Sequence, residues 1–231
     1  MAAITVATLI VLMLEVASAQ GAALALVLAV DVSASVTADS YVLQHDGIAR
    51  AFTSPRLAEA ISAAPGGIEV LVLEWSDPDK IAVTVDWTRV ADTGSADAFA
   101  AAVRATRRSS GGITAVGPAL LAAAATFDHL PEPAGHRMID ISGDGIANFG
   151  LPPAAARDRI VAAGIAINGL AIVTDEPWVA DYYRNNVIGG PLAFVVIART
   201  FDDFADAMLR KLVQEVAGAS ATGALSSAQM Q

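Results

Sequence analysis

The chain is predicted to be an α/β protein with one mostly parallel central sheet, one antiparallel edge strand and helices on both faces. Three observations carry this. Short apolar runs alternate with longer segments of helical period. The first run, residues 23–30, has no polar side chain, as expected of a strand covered on both faces. With 55% hydrophobic and 16% charged residues over 231 positions, the chain can bury a sizeable core, and its length suits one α/β domain.

The elements follow in order. Residues 24–30 form the first strand. Residues 38–52 form a helix, with Thr37 or Asp39 available to cap it. Residues 68–75 form the second strand. Asp77-Pro78-Asp79 is a turn, and residues 81–87 follow as a strand with polar residues at alternate positions. So short a connection makes a hairpin, which places the third strand antiparallel and at an edge. Helices are expected over 95–106 and 116–127, separated by Gly111-Gly112. Residues 137–142 form a strand that ends in Gly143-Asp144-Gly145. Pro152-Pro153 opens a helix to residue 163, since proline is tolerated in a first turn. Residues 165–173 form a strand, 177–186 a helix, 193–198 the last strand and 202–216 the closing amphipathic helix. From Ala217 the chain is Ala, Ser, Gly and Gln, which predicts a loose tail over 217–231. The domain itself is expected over 23–216.

Composition excludes several classes of function. A net charge of −10 and an isoelectric point near 4.6 argue against nucleic acid, which needs clustered Lys and Arg. Without cysteine there is no disulfide, thiolate metal site or thiol catalysis. His45, His129 and His136 fall in no ligand-spaced motif. Residues 1–19 resemble an export signal: residues 2–14 are almost wholly apolar, and Ala17-Ser18-Ala19 fits a cleavage pattern, although no basic residue precedes the run. The run is shorter than the roughly 20 residues of a spanning helix. A secreted or periplasmic protein without a stable membrane span is expected.

The chemistry concentrates beyond strand ends, where open α/β sheets bind ligands. Asp31-Val32-Ser33-Ala34-Ser35 puts a carboxylate and two hydroxyls at alternate positions after the first strand. Asp144 follows the strand over 137–142, so both loops should emerge on one edge of the sheet. Thr114 begins a helix and supplies a third loop. Each loop alone has a simpler reading: Ser, Asp and Thr in such places cap helices and form turns. All three in this order on an α/β pattern suggest an oxygen-rich cation site.

These residues resemble the metal-ion-dependent adhesion site (MIDAS) of a von Willebrand factor A-type (vWA) domain, a three-layer Rossmann-like fold. That site has D-x-S-x-S, a Thr on a second loop and an Asp on a third. The resemblance covers about residues 23–214. Glu74-Trp75-Ser76, Ser142-Gly143-Asp144-Gly145, Ile167-Asn168-Gly169-Leu170 and Asn186-Val187-Ile188-Gly189-Gly190-Pro191 resemble a bacterial exported vWA-like family of unknown function, DUF1194. Two positions depart: Ala34 stands where Gly is frequent, and Ala147 where an Asn is expected beside Asn148.

The resemblance implies that Asp31, Ser33, Ser35, Thr114 and Asp144 hold Mg²⁺ or Mn²⁺, directly or through water. One position would stay open for an Asp or Glu of a partner protein. Glu74 and Asn148 are candidates to support the metal loops. Trp75 and Trp87 are expected to pack, and Trp178, Tyr182 and Tyr183 to form core or rim. An enzyme is not expected: a hydrolase using Ser33 or Ser35 needs a nearby base, and no histidine falls in these loops. Neither a G-x-S-x-G elbow nor a phosphate-binding loop occurs. The alternatives are a metal-independent scaffold of the cell envelope and a Mg²⁺-dependent hydrolase.

Overall fold

The computed structural model describes residues 21–174 and 176–228. The expected export signal lies outside them. The order is β1 (Ala22–Asp31), α1 (Ala38–Phe52), α2 (Pro55–Ser62), β2 (Ile68–Trp75), β3 (Ile81–Val90), α3 (Thr93–Ala105), α4 (Val116–Ala125), β4 (Ala134–Gly143), α5 (Pro153–Ala162), β5 (Ala166–Ile172), α6 (Val179–Tyr182), β6 (Val195–Ala198) and α7 (Phe204–Ala228).

One six-stranded sheet runs β3-β2-β1-β4-β5-β6. All neighbours pair in parallel except β2 and β3, which are antiparallel with β3 at the edge. β1 takes the centre because its sequence tolerates full burial, and alternate side chains enter different layers. Leu24, Leu26, Leu28 and Val30 pack beneath α1, α2, α3 and α7. Ala25, Val27 and Ala29 pack on the other face, against α4, α5 and the segment around Tyr183. The small residues on that second face meet Ala119 and Ala123 of α4, so helix and sheet approach closely.

Local signals set several boundaries. The Thr37 hydroxyl accepts from Ser40 N at 3.1 Å and caps α1. Asp92 and Ser95 form a reciprocal capping box that opens α3. The sequence reading missed α2, although Pro55 after Ser54 is a recognisable first-turn signal.

The segment expected to be helical over 177–186 is helical from Val179, but it changes type: α6 ends at Tyr182, and a π turn follows over Tyr183–Val187. Its wider spacing accompanies full burial of Tyr183 in the core. The stretch from Ala217, expected as a loose tail, continues α7 to Ala228. Alanine is the strongest helix former, and Ala219 packs into the core at 6% exposure.

The strand order also places the site. After β1 the chain moves outward through β2 and β3, then crosses back to β4 on β1's other side. The crevice at such a switch point receives ligands in open α/β sheets. Val30 lies beside Ser142 in the β1–β4 pair, so the loops after both strands leave the sheet together.

Candidate metal centre

The first loop is folded by its own carboxylate. Asp31 Oδ1 accepts from Ser33 N at 2.7 Å. Ser33 Oγ is 3.2 Å from Ser35 Oγ, and Ser35 Oγ donates to Asp144 Oδ1 at 2.8 Å. Residues 109 positions apart thus meet at one point. The simpler reading of this motif as a helix cap fails, because Thr37 caps α1. Thr114 does not cap either: Ala115 occupies that position of α4.

The second and third loops are stitched to each other and to the first. Ala34 N donates to Gly112 O at 2.8 Å. Thr114 N donates to Asn148 Oδ1 at 2.9 Å, and Asn148 N donates to Thr114 O at 3.0 Å. Asn148 is thus the link between the Thr114 and Asp144 loops despite Ala147 beside it. Ala34 is exposed, so the departure from Gly is accommodated.

Asp31, Ser33 and Thr114 are buried, Asp144 is half-buried and Ser35 is exposed. Burial pushes the Asp31 carboxyl up to about 7, and the Asp144 charge adds to the rise. Asp31 Oδ2 is buried and has no hydrogen-bond partner. A buried orphan carboxylate oxygen is costly, and a bound cation would answer it. Among the described residues no three His, Cys, Asp or Glu converge. A cation here would therefore depend on the hydroxyls of Ser33, Ser35 and Thr114 as well as the two carboxylates.

Sequence reasoning missed four supports. Arg108 Nη2 donates to the carbonyls of Val32 at 2.7 Å and Ser33 at 2.8 Å, clamping the first loop. Gln44 Nε2 donates to Asp31 O at 3.2 Å. Asp77 Oδ1 accepts from Ile113 N at 2.6 Å, bracing the loop before Thr114. Gly143 leaves room where a Cβ would fall 2.5 Å from the Tyr183 hydroxyl and 2.8 Å from Asp31 Oδ2. Only the glycine carried a sequence signal, its place in Ser142-Gly143-Asp144-Gly145.

Glu74 lies behind this layer. It accepts from the Tyr41 hydroxyl at 2.8 Å and from Ser109 N at 2.7 Å, and stands 3.0 Å from His45 Nε2. Burial alone would raise its pKa, but the bonds from His45, Ser109 and Tyr41 outweigh that and hold the carboxyl below its ordinary range. It anchors the segment that carries Arg108 and so supports the first loop at one remove. Trp75 is fully buried, and Trp87 packs on Phe127 with ring centroids 5.5 Å apart, as packing residues should.

Outer supports of a metal site typically change affinity by 10–100-fold when removed. Arg108→Ala is expected to weaken Mn²⁺ binding about tenfold while the metal-free protein keeps its secondary structure. Calorimetric titration beside circular dichroism checks this, and unchanged affinity would remove Arg108 from the site.

Known proteins were compared with this arrangement. A family model described as "Protein of unknown function (DUF1194)" matches residues 21–220. No curated protein is similar in sequence. Proximal thread matrix protein 1 from the mussel byssus superposes with a TM-score of 0.62 at 14% identity, covering 86% of this chain and 50% of that one. Another structure of that mussel protein has a zinc-occupied MIDAS motif. The pilus adhesin SpaC from Lactobacillus rhamnosus GG gives 0.60 at 15% identity, over 85% of this chain and 30% of that one. The von Willebrand factor type A protein from Catenulispora acidiphila gives 0.58 at 20% identity, over 85% and 42%. The fold is therefore of the vWA type, and the chain spans half or less of the length of these three proteins.

Proposed function

We propose, from the premise that this chain belongs to the DUF1194 family, that it is a metal-dependent binding module. A divalent cation held by Asp31, Ser33, Ser35, Thr114 and Asp144 would capture an Asp or Glu of a partner protein. The single observation that carries this is the buried, unpartnered Oδ2 of Asp31 beside a second carboxylate and linked hydroxyls. The vWA fold and the zinc-occupied MIDAS motif of the mussel neighbour support it.

An all-oxygen ligand set favours Mg²⁺ or Mn²⁺ over softer metals. The cation would supply a Lewis-acidic position for a carboxylate. Asp31 and Asp144 would balance its charge, and the hydroxyls would complete the oxygen shell. Binding is favoured over hydrolysis by the surroundings of Ser33 and Ser35. His45 engages Tyr41 and Glu74, His136 pairs beside Leu24 near the start of β1, and His129 ends a short 3₁₀ turn. None is hydrogen-bonded to either serine.

Export is proposed from residues 1–19. Among the described residues no helix is long and apolar enough to cross a membrane.

Mg²⁺ or Mn²⁺ at 100 times its Kd should stabilise the chain by about 2.7 kcal/mol. For a domain of this size that raises the Tm by roughly 5–10 °C. Differential scanning fluorimetry should show the rise, its reversal by chelator and its loss in Asp31→Ala, with Zn²⁺ as a comparison arm. No shift, together with no calorimetric binding at millimolar metal, would sink the reading.

A further inference from the structure

Four large apolar side chains stand exposed on the loops that carry or adjoin the candidate site: Ile113 at 37%, Ile146 at 40%, Phe149 at 59% and Trp178 at 55%. Ile113 directly precedes Thr114. Ile146 and Phe149 follow Asp144. Trp178 stands at the start of α6, after β5. Their loops are tied together: Asn148 bonds Thr114 through both its side chain and its backbone, and Ala147 N donates to the Tyr182 hydroxyl at 3.2 Å. Tyr182 N in turn donates to Trp178 O. The exposed apolar groups therefore share the edge of the sheet that holds the site. A hollow of about 500 Å³ opens beside Asn148, lined by Phe149, Leu151, Pro153, Tyr182 and Asn186. Scattered exposed apolar residues are ordinary, but a cluster rimmed by polar groups marks an interaction surface.

Charge decides what this surface is for. The chain carries −10 overall, so long-range attraction cannot draw in an acidic partner. The pull must be local, and one carboxylate on one cation leaves most of an interface unmade. Interface energy concentrates in apolar and aromatic anchors near the centre of the contact.

We propose that the partner segment carries a large apolar residue beside its acidic one. The carboxylate takes the open cation position, and the neighbouring Phe, Tyr, Trp, Leu or Met side chain seats in the hollow against Phe149 and Tyr182. This specificity rests on the metal-dependent reading above.

The test uses phage-displayed heptapeptides with a central Asp or Glu and six random positions. They are panned on the full chain in Mg²⁺ and eluted with chelator. The expected survivors carry a large apolar residue near the acidic one. A synthetic peptide from that set should lose at least tenfold affinity to Phe149→Ser, an exposed position in the hollow. The Mg²⁺-dependent Tm rise of this variant should stay unchanged. Survivors without apolar bias, no survivors despite a metal shift, or affinities within twofold of the parent would overturn the proposal. So would sedimentation showing that Phe149 holds a dimer of this chain. Absence of the metal shift itself would overturn the underlying reading, and this one with it.

Discussion

Replacing Lys211 with methionine is expected to lower the unfolding free energy by about 3–5 kcal/mol, the usual cost of removing one partner of a buried ion pair. Lys211 is fully buried on α7. Its ammonium stands 2.9 Å from Asp140 Oδ2 on β4 and also bonds Glu215 Oε1 one turn along the helix. Asn168 Nδ2 donates to the same Glu215 oxygen at 2.8 Å, and Asn168 Oδ1 accepts from Phe194 N at 3.0 Å. One cation thus serves two buried acidic side chains, and methionine would leave both without it. Urea unfolding at pH 8, above the raised value of Asp140, measures the loss; a change under 1 kcal/mol would show that the cluster relaxes without its cation.

The same cluster predicts a pH dependence. Burial pushes Asp140 up to about 7; Lys211 opposes the rise and Glu215 adds to it. A raised acid binds its proton more tightly in the folded state. Its contribution to stability is full below the ordinary value of 3.8 and is lost as pH rises towards 7. The wild type minus Asp140→Asn difference in unfolding free energy should therefore fall between pH 4 and 7. A difference that grows with pH would show that Lys211 dominates and that the folded state favours the ionised form.

Gly143→Ala is the second large effect, and it acts on the metal centre. The new methyl group would meet the Tyr183 hydroxyl at 2.5 Å and Asp31 Oδ2 at 2.8 Å. Tyr183 cannot withdraw freely, because its ring already crowds Gly169, where a Cβ would fall 2.8 Å from Cδ1. Overpacking of this kind costs about 1–3 kcal/mol. Displacing Asp31 should also weaken Mn²⁺ binding more than tenfold in calorimetric titration. Adding Tyr183→Phe removes the nearest atom and should restore part of the affinity. Wild-type affinity in the single variant would show that Asp31 has room to move.

Much of this was legible in the chain. Residues 23–30 had to be a buried strand, because nothing in them could face water. Asp77-Pro78-Asp79 was too short for a parallel crossover, so β3 had to return antiparallel. Asp31, Ser33, Ser35, Thr114 and Asp144 stood out because oxygen side chains recurred just beyond apolar runs. The misses share one cause. Arg108 stands in no motif, yet it clamps carbonyls 75 and 76 positions away. Lys211 looked like the polar side of an amphipathic helix, yet β4 places Asp140 against it.

Periodicity and turn chemistry are local, so the sequence by itself determined most of the elements, the direction of β3 and the loops that carry the oxygen side chains. Only the tertiary structure decided which loops are hydrogen-bonded together, that Asn148 joins the Thr114 loop to the Asp144 loop, and that Tyr183 and Gly143 share one tight space beside Asp31. Those outcomes depend on strand order and interatomic distance, which arise when segments far apart in the chain compete for the same buried volume.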